Sequence, residues 1–185
     1  MKKLFFFIFI IINVFNNGVA DNISKKNELN KLFNQLKNTK NLAIAEIIES
    51  KIWKIWSQHP TKDNLTKSLA NATDLMNNGQ FQMAFLAFSN IIEQEDGWAE
   101  GWNKRATVLF LMNQYEASLK DIEKVLIREP RHFGALSGRA LIYIKLEQYE
   151  KALKNYKDVQ KIYPAMDAAK KMISQLKELI NKNAI

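Results

Sequence analysis

The chain has 185 residues, a net charge of +8 and no cysteine. That length supports one domain with a proper core. The missing cysteines exclude disulfide staples, a thiol nucleophile and a lipid-modified N-terminal cysteine, so burial must hold the fold together.

Met1, Lys2 and Lys3 begin the sequence, Leu4 to Ile12 run without a polar residue, and Asn16-Asn17-Gly18-Val19-Ala20 lead into Asp21. A basic start, a short apolar core and small residues at Gly18 and Ala20 have the form of a secretory signal peptide over residues 1–20, cleaved between Ala20 and Asp21. The alternative is an uncleaved N-terminal membrane anchor. A spanning helix needs about 20 apolar residues, and this run is shorter and ends in asparagines. Export places the mature chain in the periplasm, away from nucleic acid. Its lysines are scattered among acids and form no block, as on solvated helical faces.

Residues 21–64 read as a helix pair, Ser24 to Lys37 and Leu42 to Ser57. It is closed by His59-Pro60, because the residue before a proline is pushed out of helical geometry. Trp53 and Trp56 lie three apart on one face of the second helix.

From Leu65 a period of 34 residues organises the chain. It aligns Ala72 with Ala106 and Ala140, Leu75 with Leu109 and Tyr143, and Phe81 with Tyr115 and Tyr149. Further columns join Ala84, Ser118 and Ala152, then Phe88, Ile122 and Tyr156, then Ile91, Val125 and Val159. Asp96, Pro130 and Pro164 punctuate the units. In the second unit Trp102, Ala106 and Leu109 fall at helical spacing, Asn113-Gln114 interrupts, and Leu119, Ile122, Val125 and Leu126 form another stripe. Each unit is therefore an antiparallel pair of helices that cannot bury its apolar face alone and must stack on its neighbours. The units are 65–98, 99–132 and 133–166. Residues 167–185, with Met166, Ala169, Ile173, Leu176 and Ile180 on one face, form an amphipathic capping helix.

Period and columns together resemble the tetratricopeptide repeat. Lys51-Ile52-Trp53-Lys54-Ile55-Trp56, Glu100-Gly101-Trp102-Asn103-Lys104-Arg105-Ala106 and Glu129-Pro130-Arg131-His132-Phe133-Gly134-Ala135-Leu136 look like a subgroup of small exported bacterial members, found mainly in alphaproteobacteria. The resemblance implies an all-α, right-handed α-solenoid of three helix pairs, with the N-terminal pair and the capping helix closing its ends. The first unit has Ser68 where the second has Trp102, so a tryptophan of the N-terminal pair is expected to pack on that bare edge. In this family the first helix of each pair lines a concave groove. By position the groove residues are Leu69, Thr73 and Met76, then Asn103, Thr107 and Phe110, then Ser137, Leu141 and Ile144. Only Asn103 among them could serve the carboxylate clamp that some members use, so an apolar anchor is the expected ligand. The unfavourable alternative is a groove already filled by the C-terminal helix or a neighbouring chain.

Arg105 and Arg139 occupy a column where the family usually has leucine. A buried guanidinium needs a partner. Asp121 or Glu129 could serve Arg105, and Glu150 or Asp158 could serve Arg139; otherwise the arginines reach the groove and hold a partner's carboxylate. His132, at a junction between units, is a further candidate polar contact, although a lone histidine at such a corner is usually a hydrogen-bonded turn residue. The two histidines, His59 and His132, lack metal-ligand spacing, and no glycine-rich phosphate loop is present. The sequence thus announces no catalytic residue, metal or cofactor. It points to a protein-binding adaptor or scaffold, with no nucleic acid and at most peripheral membrane contact. The alternative function is binding of an envelope polymer or membrane surface through Lys151, Lys154, Lys157 and Lys161 on the convex face.

Overall fold

The structure, a computed structural model, describes residues 23–183; the expected signal peptide lies outside them. Among the described residues there are helices and no strands. Helix α1 covers residues 23–38. It is followed by α2 (Leu42–Trp56), α3 (Asp63–Asn77), α4 (Phe81–Gln94), α5 (Ala99–Leu111), α6 (Tyr115–Arg128), α7 (Phe133–Lys145), α8 (Tyr149–Ile162) and α9 (Asp167–Asn183). Helices α3 and α4, α5 and α6, and α7 and α8 pack as pairs, each pair also meets the next helix in order, and α9 lies on α8.

The repeating columns are what the pairs bury. Ala72, Ala106 and Ala140 are at most 2% exposed, and Ala84, Ser118 and Ala152 at most 1%. Small residues at these crossings let the helices approach closely. Phe88, Ile122 and Tyr156, with Ile91, Val125 and Val159, fill the space between pairs, and each such large side chain contributes about 1.5–3 kcal/mol.

The turns repeat as faithfully as the core. Every first helix ends in a residue with left-handed backbone: Gly79 at φ 74°, Asn113 at 58° and Glu147 at 57°. The N–H groups of Gln80, Gln114 and Gln148 reach back to the carbonyls of Leu75, Leu109 and Tyr143 at 2.8–2.9 Å. Those of Gly79, Asn113 and Glu147 reach Met76, Phe110 and Ile144. This double closure satisfies the carbonyls left open at a helix end. Glycine adopts the conformation freely, asparagine tolerably, and glutamate only with strain.

The N-terminal pair does not sit where the sequence suggested. Instead of covering the bare edge of the first unit, it folds back over the start of the third. The Trp56 indole stacks on His132 with ring centroids 3.9 Å apart and planes 8° apart. Trp53 meets His132 and Phe133 edge-on, each at 5.5 Å, and Phe33 of α1 packs on Trp56 and Phe133. Farther along α2, Glu49 accepts a hydrogen bond from the Tyr163 hydroxyl at 3.1 Å. Arg131 donates to Asn30 Oδ1 at 2.9 Å and lies over the Phe33 ring. The first unit is reached at its start, where the His59 N–H donates to Thr66 Oγ1 at 2.9 Å, and at its trailing turn, where Trp98 Nε1 donates to the Trp56 carbonyl at 2.9 Å. The pair therefore runs along the successive junction turns as a strap. At the start of α7 the strap meets His132 and Phe133, the latter edge-on to Tyr163, with room beside them at Gly134. A Cβ placed there would stand 2.6 Å from Trp53 Cη2.

His59 fastens the end of the strap. Its Nδ1 accepts from the Thr61 and Lys62 N–H groups at 3.2 and 3.0 Å, Nε2 stands 3.5 Å from a Glu95 oxygen, and the ring is edge-on to Trp98. Burial, the largest influence, pushes its pKa below the ordinary histidine value and Lys62 adds to this, while Glu95 opposes it.

Four outcomes follow from these contacts. Glu147→Gly should raise the unfolding free energy by up to about 1 kcal/mol, because relief of left-handed strain exceeds the added chain entropy; urea denaturation checks this. Gly134→Ala should destabilise by about 1–3 kcal/mol through overpacking against Trp53 and speed hydrogen exchange in α2. Gly138→Ala, whose Cβ would meet only Ile122 Cδ1 at 3.9 Å, should instead gain up to about 1 kcal/mol from helix propensity. Since the folded pKa of His59 lies below its unfolded value of about 6.5, its contribution is complete above that pH and is lost as pH falls through the folded value. The urea midpoint should drop from pH 7 toward pH 5, and His59→Asn, which keeps an acceptor for the turn, should lessen that drop.

Candidate partner-binding cleft

A cleft of about 320 Å³ opens between α5 and α7, with α6 beneath it. Its walls carry Asn103, Thr107 and Phe110 on one side and Ser137, Gly138 and Leu141 on the other. The spacing of four and three along each helix places each set on one face. Leu141 is 42% exposed and neighbouring Leu111 43%, large apolar surface that a lone protein gains nothing by leaving in water. Gly138 leaves the α7 wall low. Ser137 Oγ is buried with no hydrogen-bond partner in the protein, an unmet cost unless something polar reaches it. Helix α9 contributes no residue to this lining, so the C-terminal helix does not fill it.

The structure thus brings together five of the nine groove residues expected from the sequence: Asn103, Thr107, Phe110, Ser137 and Leu141. The other four lie elsewhere. Leu69 is 2% exposed and belongs to the core cluster of Leu65, Phe88, Trp98 and Val108; Met76 packs partly buried against the same cluster. Thr73 turns its hydroxyl onto the Leu69 carbonyl at 2.7 Å. Ile144 packs against the core shared by α7, α8, α9 and the N-terminal strap. The sequence reading also missed Leu111, one residue beyond the expected trio, and Gly138, whose missing side chain shapes the wall. Their exposed helical positions were visible, but the depth of the cleft beside them was not.

The polar candidates are engaged inside the protein. Arg105 holds Asp121 through two hydrogen bonds, Nε to Oδ2 at 2.7 Å and Nη2 to Oδ1 at 2.8 Å, and also donates to Ser89. The guanidinium is flanked by the Trp102 and Phe85 rings. Such a paired, planar arrangement fixes how α4, α5 and α6 stack. Glu129 is not its partner; that carboxylate accepts from Arg131 at 2.8 and 2.9 Å. Arg139 donates to Asn155 Oδ1 at 2.6 Å rather than to Glu150 or Asp158. A neutral amide sixteen residues ahead replaces the carboxylate that serves Arg105, while Asp158 is taken by Lys154 and Lys161.

His132 is fully buried and cannot touch a partner. Its Nδ1 accepts from the Ala135 N–H at 3.0 Å, capping α7. That leaves Nε2 to carry the proton and donate to Glu100 Oε2 at 3.2 Å. Glu100, 1% exposed, also accepts from Asn103 Nδ2 at 3.2 Å on both oxygens and has Lys104 at 3.7 Å. A buried carboxylate needs such company. The Asn103 amide donor is consequently directed into the protein, which removes the one side chain that could have begun a carboxylate clamp. What remains at the cleft is apolar, with hydroxyl spots.

Comparisons with known proteins bear on the family and the fold. A tetratricopeptide repeat family model matches residues 134–166. A TPR repeat-containing protein of Rhizobium etli is 35% identical over 161 residues, which span 86% of this chain and 78% of the relative. Among solved structures, the Sgt2 TPR domain from Aspergillus fumigatus superposes with a TM-score of 0.62 at 17% identity, over 66% of this chain and 83% of that one. The Yersinia enterocolitica type III secretion chaperone SycD, in complex with a peptide of the translocator YopD, gives 0.60 at 11% identity, over 65% and 97%. The periodic sequence, the stacked helix pairs and the relative together show that the chain belongs to the tetratricopeptide repeat family.

Proposed function

We propose that this protein is an exported adaptor or scaffold that binds a helix or extended segment of a partner protein in the α5–α7 cleft. The observation that carries the reading is the cleft itself, where exposed Leu111 and Leu141, half-buried Phe110 and the unpartnered Ser137 hydroxyl share one concave surface. Such grooves receive apolar anchors at helical or alternate spacing, with the polar atom fixing register. The Yersinia chaperone holds a translocator peptide, and the first TPR of Spaghetti holds an HSP90 peptide; both support the class of ligand. The ligand differs in kind from an acidic C-terminus, because Asn103 is committed to Glu100. The function is binding, with no catalysis and no cofactor.

The signal-peptide pattern of residues 1–20 supports a periplasmic location, with Asp21 as the first residue of the mature chain. No described helix is long and apolar enough to cross a membrane. The basic convex stripe is the weaker surface. Lys154 and Lys161 are paired with Asp158, and Lys151 lies over Tyr143 while donating to Gln148.

Affinity purification of the exported protein from envelope extract tests both parts. Wild type should retain a protein partner that Leu141→Asp and Phe110→Asp lose at least about tenfold, the scale of one or two buried apolar anchors, with helical content by circular dichroism unchanged. Lys154→Glu/Lys161→Glu should retain it. The opposite pattern would assign binding to the convex face. N-terminal sequencing of the recovered protein should start at Asp21; an intact Met1 in the membrane fraction would mean an anchor.

A further inference from the structure

The strap creates a second concavity that has no counterpart in the concave groove. A cleft of about 610 Å³ lies between the N-terminal pair and the junction turns, and it shares no lining residue with the α5–α7 cleft. Small-molecule sites fall in the range of about 300–1,000 Å³ and are mostly apolar with a few polar groups. Here Leu29, Ile55 and Trp56 on the strap face Trp98, Ala99 and Pro130 on the repeats. Four cations line the cleft, Lys25, Lys26, Arg128 and Arg131, the last of them paired with Glu129.

Two carboxylates also line the cleft, but both are already committed. Glu129 accepts from the Arg131 side chain and backbone, and Glu100 from Asn103 and His132. Arg128 uses Nε and Nη1 on the carbonyls of Asp96 and Lys124, and its nearest carboxylate, Asp96 at 3.6 Å, is 80% exposed and screened by water. Trp56, 7% exposed, adds an indole N–H that has no hydrogen-bond partner in the protein. Donors and positive charge surround an aromatic, apolar interior. The neighbouring cleft between α1 and α2, lined by Lys31, Lys51 and Lys54 among others, lacks any aromatic wall.

We propose that the cleft beneath the strap binds a small amphipathic anion, an apolar body of medium-chain length carrying one carboxylate or phosphate head. The tail lies against Trp56, Trp98 and Ile55, and the head meets Lys26 and Arg128. Because one wall is the strap and the other the repeat junctions, the ligand also holds the strap in place. A ligand that binds only the closed arrangement stabilises it by mass action.

The test uses the purified protein and three probes below their aggregation concentrations: dodecanoate, dodecanol and inorganic phosphate. Dodecanoate should bind one to one by calorimetry, change the tryptophan fluorescence and raise the melting temperature. Dodecanol and phosphate should bind at least about tenfold more weakly, since each supplies half of the recognition. Lys26→Glu, at an exposed position, and Arg128→Gln should each weaken dodecanoate at least about tenfold, whereas Leu141→Asp should leave it unchanged while abolishing partner capture. Absence of saturable dodecanoate binding would overturn the proposal, as would equal binding of dodecanol or indifference to both cation variants. Loss on Leu141→Asp would move the ligand to the concave cleft and overturn it as well.

Discussion

A tetratricopeptide helix pair exposes an apolar face on each side, and a three-unit array leaves two of these faces without a neighbour. How the chain closes those ends shapes everything else in the structure. At the C-terminus α9 lies on α8, with Ala169, Ile173 and Leu176 buried. The N-terminal pair does not cover the outer edge of the first unit; it lies as a strap along the junction turns, centred on the stack of Trp56 on His132. His132 can serve as that platform only because its two nitrogens are already satisfied. One caps α7 and the other meets Glu100. The same histidine thus orders a helix start, compensates a buried carboxylate and anchors a distant element. Buried polar networks of this kind stabilise only when every member is satisfied.

This arrangement has consequences for binding. With the strap on the junction turns rather than across the concave face, the wall between α5 and α7 stays open. Trp53 packs against Gly134, which itself lines the end of that cleft, so the strap borders the groove without entering it. The Glu100 network also turns Asn103 inward, which leaves the groove apolar. A structural requirement at the junction therefore sets the chemistry of the cleft wall beside it. The basic cleft beneath the strap arises from the same docking, as a gap between two surfaces that meet at Trp56 and Trp98.

Much of the fold could be read from the residues. The alanine columns, the aromatic column at Phe81, Tyr115 and Tyr149, and the punctuation at Asp96, Pro130 and Pro164 recur at one interval because each unit solves the same packing problem. The strap carries no such signal. Its contacts join Glu49 to Tyr163 and Asn30 to Arg131, separations of 114 and 101 residues, and nothing local specifies them. The bare edge near Ser68 was a reasonable docking place, but the nest at His132 and Phe133 offers aromatic surface and a glycine gap. In the middle of the array, where both neighbours are alike, the positions transferred by register share one cleft. Toward its ends Leu69 and Ile144 are drawn into the core instead.

The most direct test of the concave cleft as the partner surface is site-specific photocrosslinking in the living cell. A photoreactive phenylalanine analogue at Leu111, beside the cleft, is compared with one at Ile127, an exposed position of α6 that does not line it. The account predicts a discrete adduct with a second protein from position 111 and none from position 127. Adducts from position 127 alone would contradict it and move the binding surface away from the groove.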